Sequence, residues 1–133
     1  MIARVVQLLV FAFTFTSCVA NYKDRDLKNI LSEVLLNEVY TINDFDTEAV
    51  GWNDSFQSGS VTFIDQEAVK KLLAVSKRVG YKEYIPIKES PLEIKLKGEE
   101  PPQVWLYKSR GRRDRRLYFV VEYNRIFFEL LLF

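Results

Sequence analysis

The sequence predicts an α+β domain in which two helices pack on one face of an antiparallel sheet of four to five strands. Two stretches repeat apolar residues at helical spacing, and the second half holds several short β-type runs separated by turn residues. The closing segment from Ile126 to Phe133 is apolar except for Glu129, so it must be covered on both faces or lie centrally in a sheet.

From Asp26, the residues Leu27, Ile30, Leu31, Val34 and Leu35 fall on one side of a helix, with Lys28, Asn29, Ser32 and Glu33 on the other. Asp26 is expected to cap that helix, which should end between Asn37 and Tyr40. Residues 43–59 are polar, carry Gly and Ser near their end, and read as a loop with a short strand around Trp52. Val61 to Ile64 is a short strand, and Asp65 caps a second helix through Val69, Leu72, Leu73, Ser76 and Val79, closed by Gly80.

Leu92, Ile94 and Leu96 alternate with Glu93, Lys95 and Lys97, the pattern of a half-buried strand. Gln103 to Lys108 and Leu117 to Tyr123 are the next strands, turning at Arg110-Gly111-Arg112. Asn124-Arg125 turns the chain into the last strand. Pro86, Pro91, Pro101 and Pro102 all fall between elements, where a missing N–H does no damage. Trp105 and Tyr107 share one face of their strand, as Tyr118 does with Val120.

The chain of 133 residues supplies one core, and 48% hydrophobic content is enough to build it. With no histidine and one cysteine, Ser-His-Asp or Cys-His catalysis, His-ligated zinc, thiolate metal cages and intramolecular disulfides are all excluded.

The N-terminus sets one Arg (Arg4) before a twelve-residue segment, Val5 to Thr16, that is apolar apart from Gln7, Thr14 and Thr16. As a helix it would rise about 18 Å against a hydrocarbon core of about 30 Å, so it reads as a secretory signal rather than a membrane span. It ends in Phe15-Thr16-Ser17-Cys18, which resembles the lipid-attachment motif of bacterial lipoproteins, with Phe15 where leucine is commoner. The resemblance covers residues 1–18. It implies a signal peptide over 1–17, diacylglyceryl and N-acyl (palmitate-type) lipidation of Cys18, a tether over 18–25 and a single domain over 26–133. Three acyl chains would make attachment effectively permanent. Val19 rather than Asp after the cysteine implies sorting to the outer membrane of a diderm host. Cys18-Val19-Ala20 also fits ordinary signal-peptidase cleavage with release of a soluble domain, and a buried helix with a core cysteine is a third reading.

Charge is divided along the chain. Residues 24–67 hold ten acids and two bases, and residues 68–133 fifteen bases and eight acids. Either the halves pair within one fold or a charged patch meets a partner. Lys108, Arg110, Arg112, Arg113, Arg115 and Arg116 form the densest cluster, and Arg presents a planar fork suited to phosphate or carboxylate. On an exported protein the matching anions are lipid head groups, cell-wall carboxylates or an acidic partner protein; nucleic acid is not expected. The same cluster also reads as a solvated hairpin tip whose charge opposes edge aggregation.

Asp44-Phe45-Asp46-Thr47-Glu48 invites a calcium-loop reading, but the sixth position is Ala49 and the twelfth Ser55, where Gly and Glu are needed. No metal site is expected. No Gly-rich phosphate loop or G-x-S-x-G elbow occurs, so neither a cofactor nor catalysis is expected. The sequence therefore points to a small membrane-anchored envelope lipoprotein with a binding role, or alternatively a secreted or tethered inhibitor (immunity-like) protein that blocks a partner.

Overall fold

The computed structural model describes residues 24–49, 54–80, 86–98, 102–111 and 114–133. The signal segment, Cys18, Trp52, Arg112 and Arg113 lie outside them. The elements run α1 (Arg25–Val34), β1 (Tyr40–Ala49), β2 (Ser55–Phe63), α2 (Gln66–Val75), β3 (Lys77–Val79), α3 (Pro91–Leu96), β4 (Val104–Lys108), β5 (Arg115–Glu122) and β6 (Arg125–Leu132). All strands join one sheet in the order β1-β2-β6-β5-β4-β3, each neighbouring pair antiparallel. The α+β class is as expected. Among the described residues the sheet has six strands rather than four or five, and the helices number three rather than two.

β6 lies inside the sheet with β2 and β5 as its neighbours. Its alternation sends Ile126, Phe128, Leu130 and Leu132 to one face, where all are buried against α1 and α2 through Leu27, Ile30, Leu31, Val69 and Leu72. Burying a side chain such as Phe128 contributes about 1.5–3 kcal/mol. On the other face, α3 places Leu92 and Leu96 on Val104 and Val120. α1 and α2 thus share one face, and α3 closes part of the opposite face.

Three elements differ from expectation. Leu92 and Leu96 belong to a helix, not a strand: Ser90 accepts from the Glu93 amide at 3.0 Å, Glu93 reaches back to the Glu89 amide, and Pro91 starts the first turn. Ser-x-x-Glu with Pro at the first helical position is a capping box, and it outweighs three alternating apolar residues. Ile94, which a strand would have buried with its neighbours, is exposed.

The expected loop over 43–59 is mostly strand, because β1 is a sheet edge whose solvent side needs no apolar residues. A register shift between Asn43 and Asp46, with Asp44 in the left-handed region (φ 50°), hid the alternation. α2 stops at Val75, not Val79: the Ser76 hydroxyl bonds back to the Leu72 carbonyl at 2.7 Å, and Lys77–Val79 leaves to pair with β4.

The remaining caps and turns follow the sequence in part: α1 ends at Val34, short of the expected Asn37 to Tyr40, and Gly80 lies beyond the end of α2, whose C-cap is Ser76. Asp65 caps α2 by accepting from the Glu67 amide at 3.0 Å. At the start of α1 the cap position is Asp24, and Asp26 sits in the first turn. The β5–β6 turn is at Tyr123-Asn124, one residue earlier than expected, and Asn124 clamps Phe63: its carbonyl accepts from the Phe63 amide at 2.8 Å and its side-chain amide donates to the Phe63 carbonyl at 2.6 Å.

Gly59 allows β1 to cross β2 at the register shift. A Cβ there would stand 2.9 Å from the Asn43 carbonyl oxygen and 3.0 Å from that of Asp44. Both obstacles are backbone. Gly59→Ala should therefore cost about 1–3 kcal/mol, read as a lower urea midpoint with an unchanged m-value.

Candidate functional site

Strand alternation divides the basic cluster. Lys108 ends β4 and is exposed, and Arg110 is exposed in the link to β5. Arg115 is register partner to Leu132 and points to the α1 face, where it meets Asp26 at 3.8 Å. Arg116 points to the opposite face, pairs with Asp114 at 2.9 Å and lies over the Phe133 ring at 5.3 Å. The Asp114 hydrogen bond, with a further one to Tyr118, holds the Arg116 guanidinium above its ordinary value. Arg115 and Arg116 are thus engaged, while Lys108 and Arg110 have no ion-pair partner among the described residues.

Lys108 and Arg110 border a groove of about 720 Å³ with Lys71, Glu33, Val34, Ala74, Val75, Tyr107 and Gly111. Its centre is organised by Glu33 near the end of α1, which accepts from the Tyr107 hydroxyl at 2.9 Å and the Ser109 hydroxyl at 2.8 Å. Burial and the Glu33 hydrogen bond push the Tyr107 hydroxyl up to about 12, so it remains a donor throughout the physiological range. Lys71 is held by Glu38, whose hydrogen bond and charge raise the ammonium above its ordinary value. Glu33 keeps its negative charge in these hydrogen bonds, Lys71 is balanced by Glu38, and Lys108 and Arg110 are the groove cations without an ion-pair partner among the described residues.

The acidic and basic halves of the chain do meet within the fold, through Asp26–Arg115, Glu38–Lys71 and Asp44–Arg125. These partly exposed pairs contribute about 0–1 kcal/mol each. The acidic segment Asp44 to Glu48, whose calcium-loop reading failed on Ala49 and Ser55, stands on β1, with Asp44 turned to Arg125 at 3.8 Å and Asp46 accepting from the Thr47 amide at 2.9 Å.

A second feature was visible in the sequence only as one acid in an apolar run. Asp46, Ser58, Glu129 and Tyr118 are successive register partners across β1, β2, β6 and β5, and so share the face opposite α1 and α2. Glu129 is 0% exposed, and neither carboxyl oxygen has a hydrogen-bond partner among the described residues. Burial pushes its carboxyl up to about 8, so it is mainly protonated at neutral pH. Beside Asp46 and Ser58, a cleft of about 420 Å³ opens towards Ile87, Lys88, Glu89 and Ser90; Glu129 itself does not line it. A further column on this face stacks Lys95 and Arg125 against the Phe127 ring at 4.6 and 4.7 Å.

No known family, curated protein or solved structure matches the chain. No described helix is long and apolar enough to cross a membrane.

Glu129 binds its proton more tightly folded than unfolded, so its contribution to stability is complete below the unfolded value of about 4.5 and is lost as pH rises through about 8. Glu129→Gln, which mimics the protonated form, should remove that dependence and be more stable than wild type at pH 8 by on the order of 3 kcal/mol. Urea midpoints of both proteins at pH 5 and pH 8 check this; parallel changes in the two would show that Glu129 is not held protonated.

Proposed function

We propose that the chain is a small envelope lipoprotein, anchored through Cys18, whose domain acts by binding an anionic envelope component through the end of the sheet that carries the β4–β5 hairpin. The supporting observation is where the chain enters the domain. Asp24 precedes α1, and Asp26 touches Arg115 at the hairpin end of β5. Glu33, near the other end of α1, is bonded to Tyr107 and Ser109 at the hairpin end of β4. α1 therefore lies across the hairpin end of the sheet, and the six residues from Val19 to Asp24 join that end to the proposed anchor.

Such a link reaches at most about 20 Å. The hairpin cations Lys108 and Arg110, with Arg112 and Arg113 beside them in sequence, would accordingly stay close to the lipid surface. The binding reading, rather than a catalytic one, rests on the chain's lack of histidine and on an exposed pair of cations bordering a groove of mixed polar and aliphatic lining.

Two measurements test this. Cys18→Ser should abolish metabolic palmitate labelling, and unchanged labelling would remove the anchor. Reversing the charges of Lys108, Arg110, Arg112 and Arg113 to Glu should weaken retention by an envelope fraction at least about tenfold at low salt, where wild-type retention should also fall as salt rises. Retention that ignores both charge reversal and salt would place the binding surface elsewhere.

A further inference from the structure

The two open edges of the sheet carry opposite charge. Among the described residues β1 pairs only with β2 at one edge, and β3 only with β4 at the other. From Tyr40 to Ser55 the chain holds Asp44, Asp46, Glu48 and Asp54 and no base. Residues 76–80 and 103–111, which contain β3 and β4, hold Lys77, Arg78, Lys108 and Arg110 and no acid. Asp44 is taken by Arg125, whereas the exposed Asp46, Glu48, Lys77 and Lys108 have no ion-pair partner among the described residues. Lys88 and Glu89, beside Asp46 and Glu48 in the cleft, offset each other.

Register aligns these charges. Asp46, Ser58, Glu129, Tyr118, Leu106 and Lys77 are successive partners in one row that crosses the sheet from edge to edge. Two residues along, on the same face, a second row runs from Glu48 through Phe56, Leu131 and Arg116 to Lys108. Each row therefore begins on an unpaired acid and ends on an unpaired base.

We propose that copies of this chain associate head to tail, with β1 of one beside β3 of the next, so that the sheet continues from copy to copy. The strand count suits this. All neighbours in the six-stranded sheet are antiparallel, so β1 and β3 run in opposite directions. A copy added without being turned over then meets its neighbour antiparallel, the commoner and slightly more stable pairing. It brings its Asp46 to the row that Lys77 closes and its Glu48 to the row that Lys108 closes. Like edges would instead set acid against acid or base against base, which opposes a symmetric pair. The register shift of β1 lies before Asp46, and Asp46–Ala49 beyond it follow β2 without interruption. β3 has three residues, so the contact is short and forms at high local concentration. Such a contact does not close on itself, and sheet twist turns successive copies into an open array. The inference is independent of the lipid anchor.

The test couples carboxylates to amines with a carbodiimide, which adds no spacer, in an equal mixture of isotopically light and heavy full chain in non-ionic detergent. Within one copy Asp46 and Lys77 are five strand spacings apart, about 24 Å, so a bond between them must join two copies. Expected are Lys77–Asp46 links, half of them joining light chain to heavy, with a yield that falls at least about tenfold from about 0.01 M to about 1 M salt. Asp46→Lys/Glu48→Lys and Lys77→Glu/Lys108→Glu, all at exposed positions, should each sediment as a monomer. Mixing the two should restore association, because every contact between them is again acid to base.

Full chain that stays monomeric at millimolar concentration overturns the proposal, as does a mixture of the two variants that stays monomeric. Association without Lys77–Asp46 links overturns it too, by placing the contact on another surface. Links from Lys77 to Asp54 or Glu67 at the same yield would reduce it to unspecific attraction. Palmitate labelling of Cys18 enters none of these readouts, so the anchored reading stands or falls separately.

Discussion

Everything in the fold is arranged around a strand that cannot face water on either side. β6 holds Ile126, Phe128, Leu130 and Leu132 on one face and Phe127, Glu129 and Leu131 on the other. Such a strand is stable only inside a sheet with cover above and below. β2 and β5 satisfy its backbone, α1 and α2 cover the first face, and α3 covers part of the second. The register then determines the rest: Gly59 lies opposite Phe128, and its missing side chain lets the β1 carbonyls close over the pair. Glu129 is the exception within this strand. Its burial without a partner opposes folding above the ordinary carboxylate range, a cost carried at the centre of the sheet rather than at an accessible site.

Much of this was legible, and the misreadings have specific physical causes. Helical spacing found α1 and α2 because each buries one stripe against a sheet, which is the condition that makes the periodicity visible. The apolar run from Ile126 announced an internal strand for the same reason. β1 was not legible because its exposed outer side accepts acids and Thr as readily as a loop does, and its register shift removes the period of two. α3 was misread from Leu92, Ile94 and Leu96, although Ser90, Pro91 and Glu93 carried the opposite signal. In a segment this short, the start signal constrains the backbone more than three apolar residues do.

The site was only partly legible, for a related reason. Proximity in sequence made Lys108 to Arg116 look like one patch, but a strand sends successive side chains to opposite faces. Arg115 is drawn to Asp26 and Arg116 to Asp114, so the free charge of the described cluster contracts to Lys108 and Arg110. Lys71 reaches the same groove from α2 but is paired with Glu38, and no local reading could have placed it there. Leu36 was equally hidden as a residue of a link, since the first helix was expected to end between Asn37 and Tyr40, whereas α1 ends at Val34.

The division of charge along the chain acquires a spatial meaning from these placements. Asp26, Glu38 and Asp44 from the acidic half each hold a cation from the basic half, so part of the division closes inside the fold. What remains open is not spread evenly. α1 begins beside Arg115 and ends beside Tyr107, so the helix that carries the chain into the domain also closes the sheet at the hairpin. The start of α1 and the cations Lys108 and Arg110 consequently lie at the hairpin end, while the buried carboxyl of Glu129 and the cleft near Ser58 belong to the face that α3 partly covers. The helix that closes the sheet at the hairpin also supplies Leu27, Ile30 and Leu31 to the core. Surface charge there can change without touching the packing of β6, whereas any change in β6 must be answered on both faces.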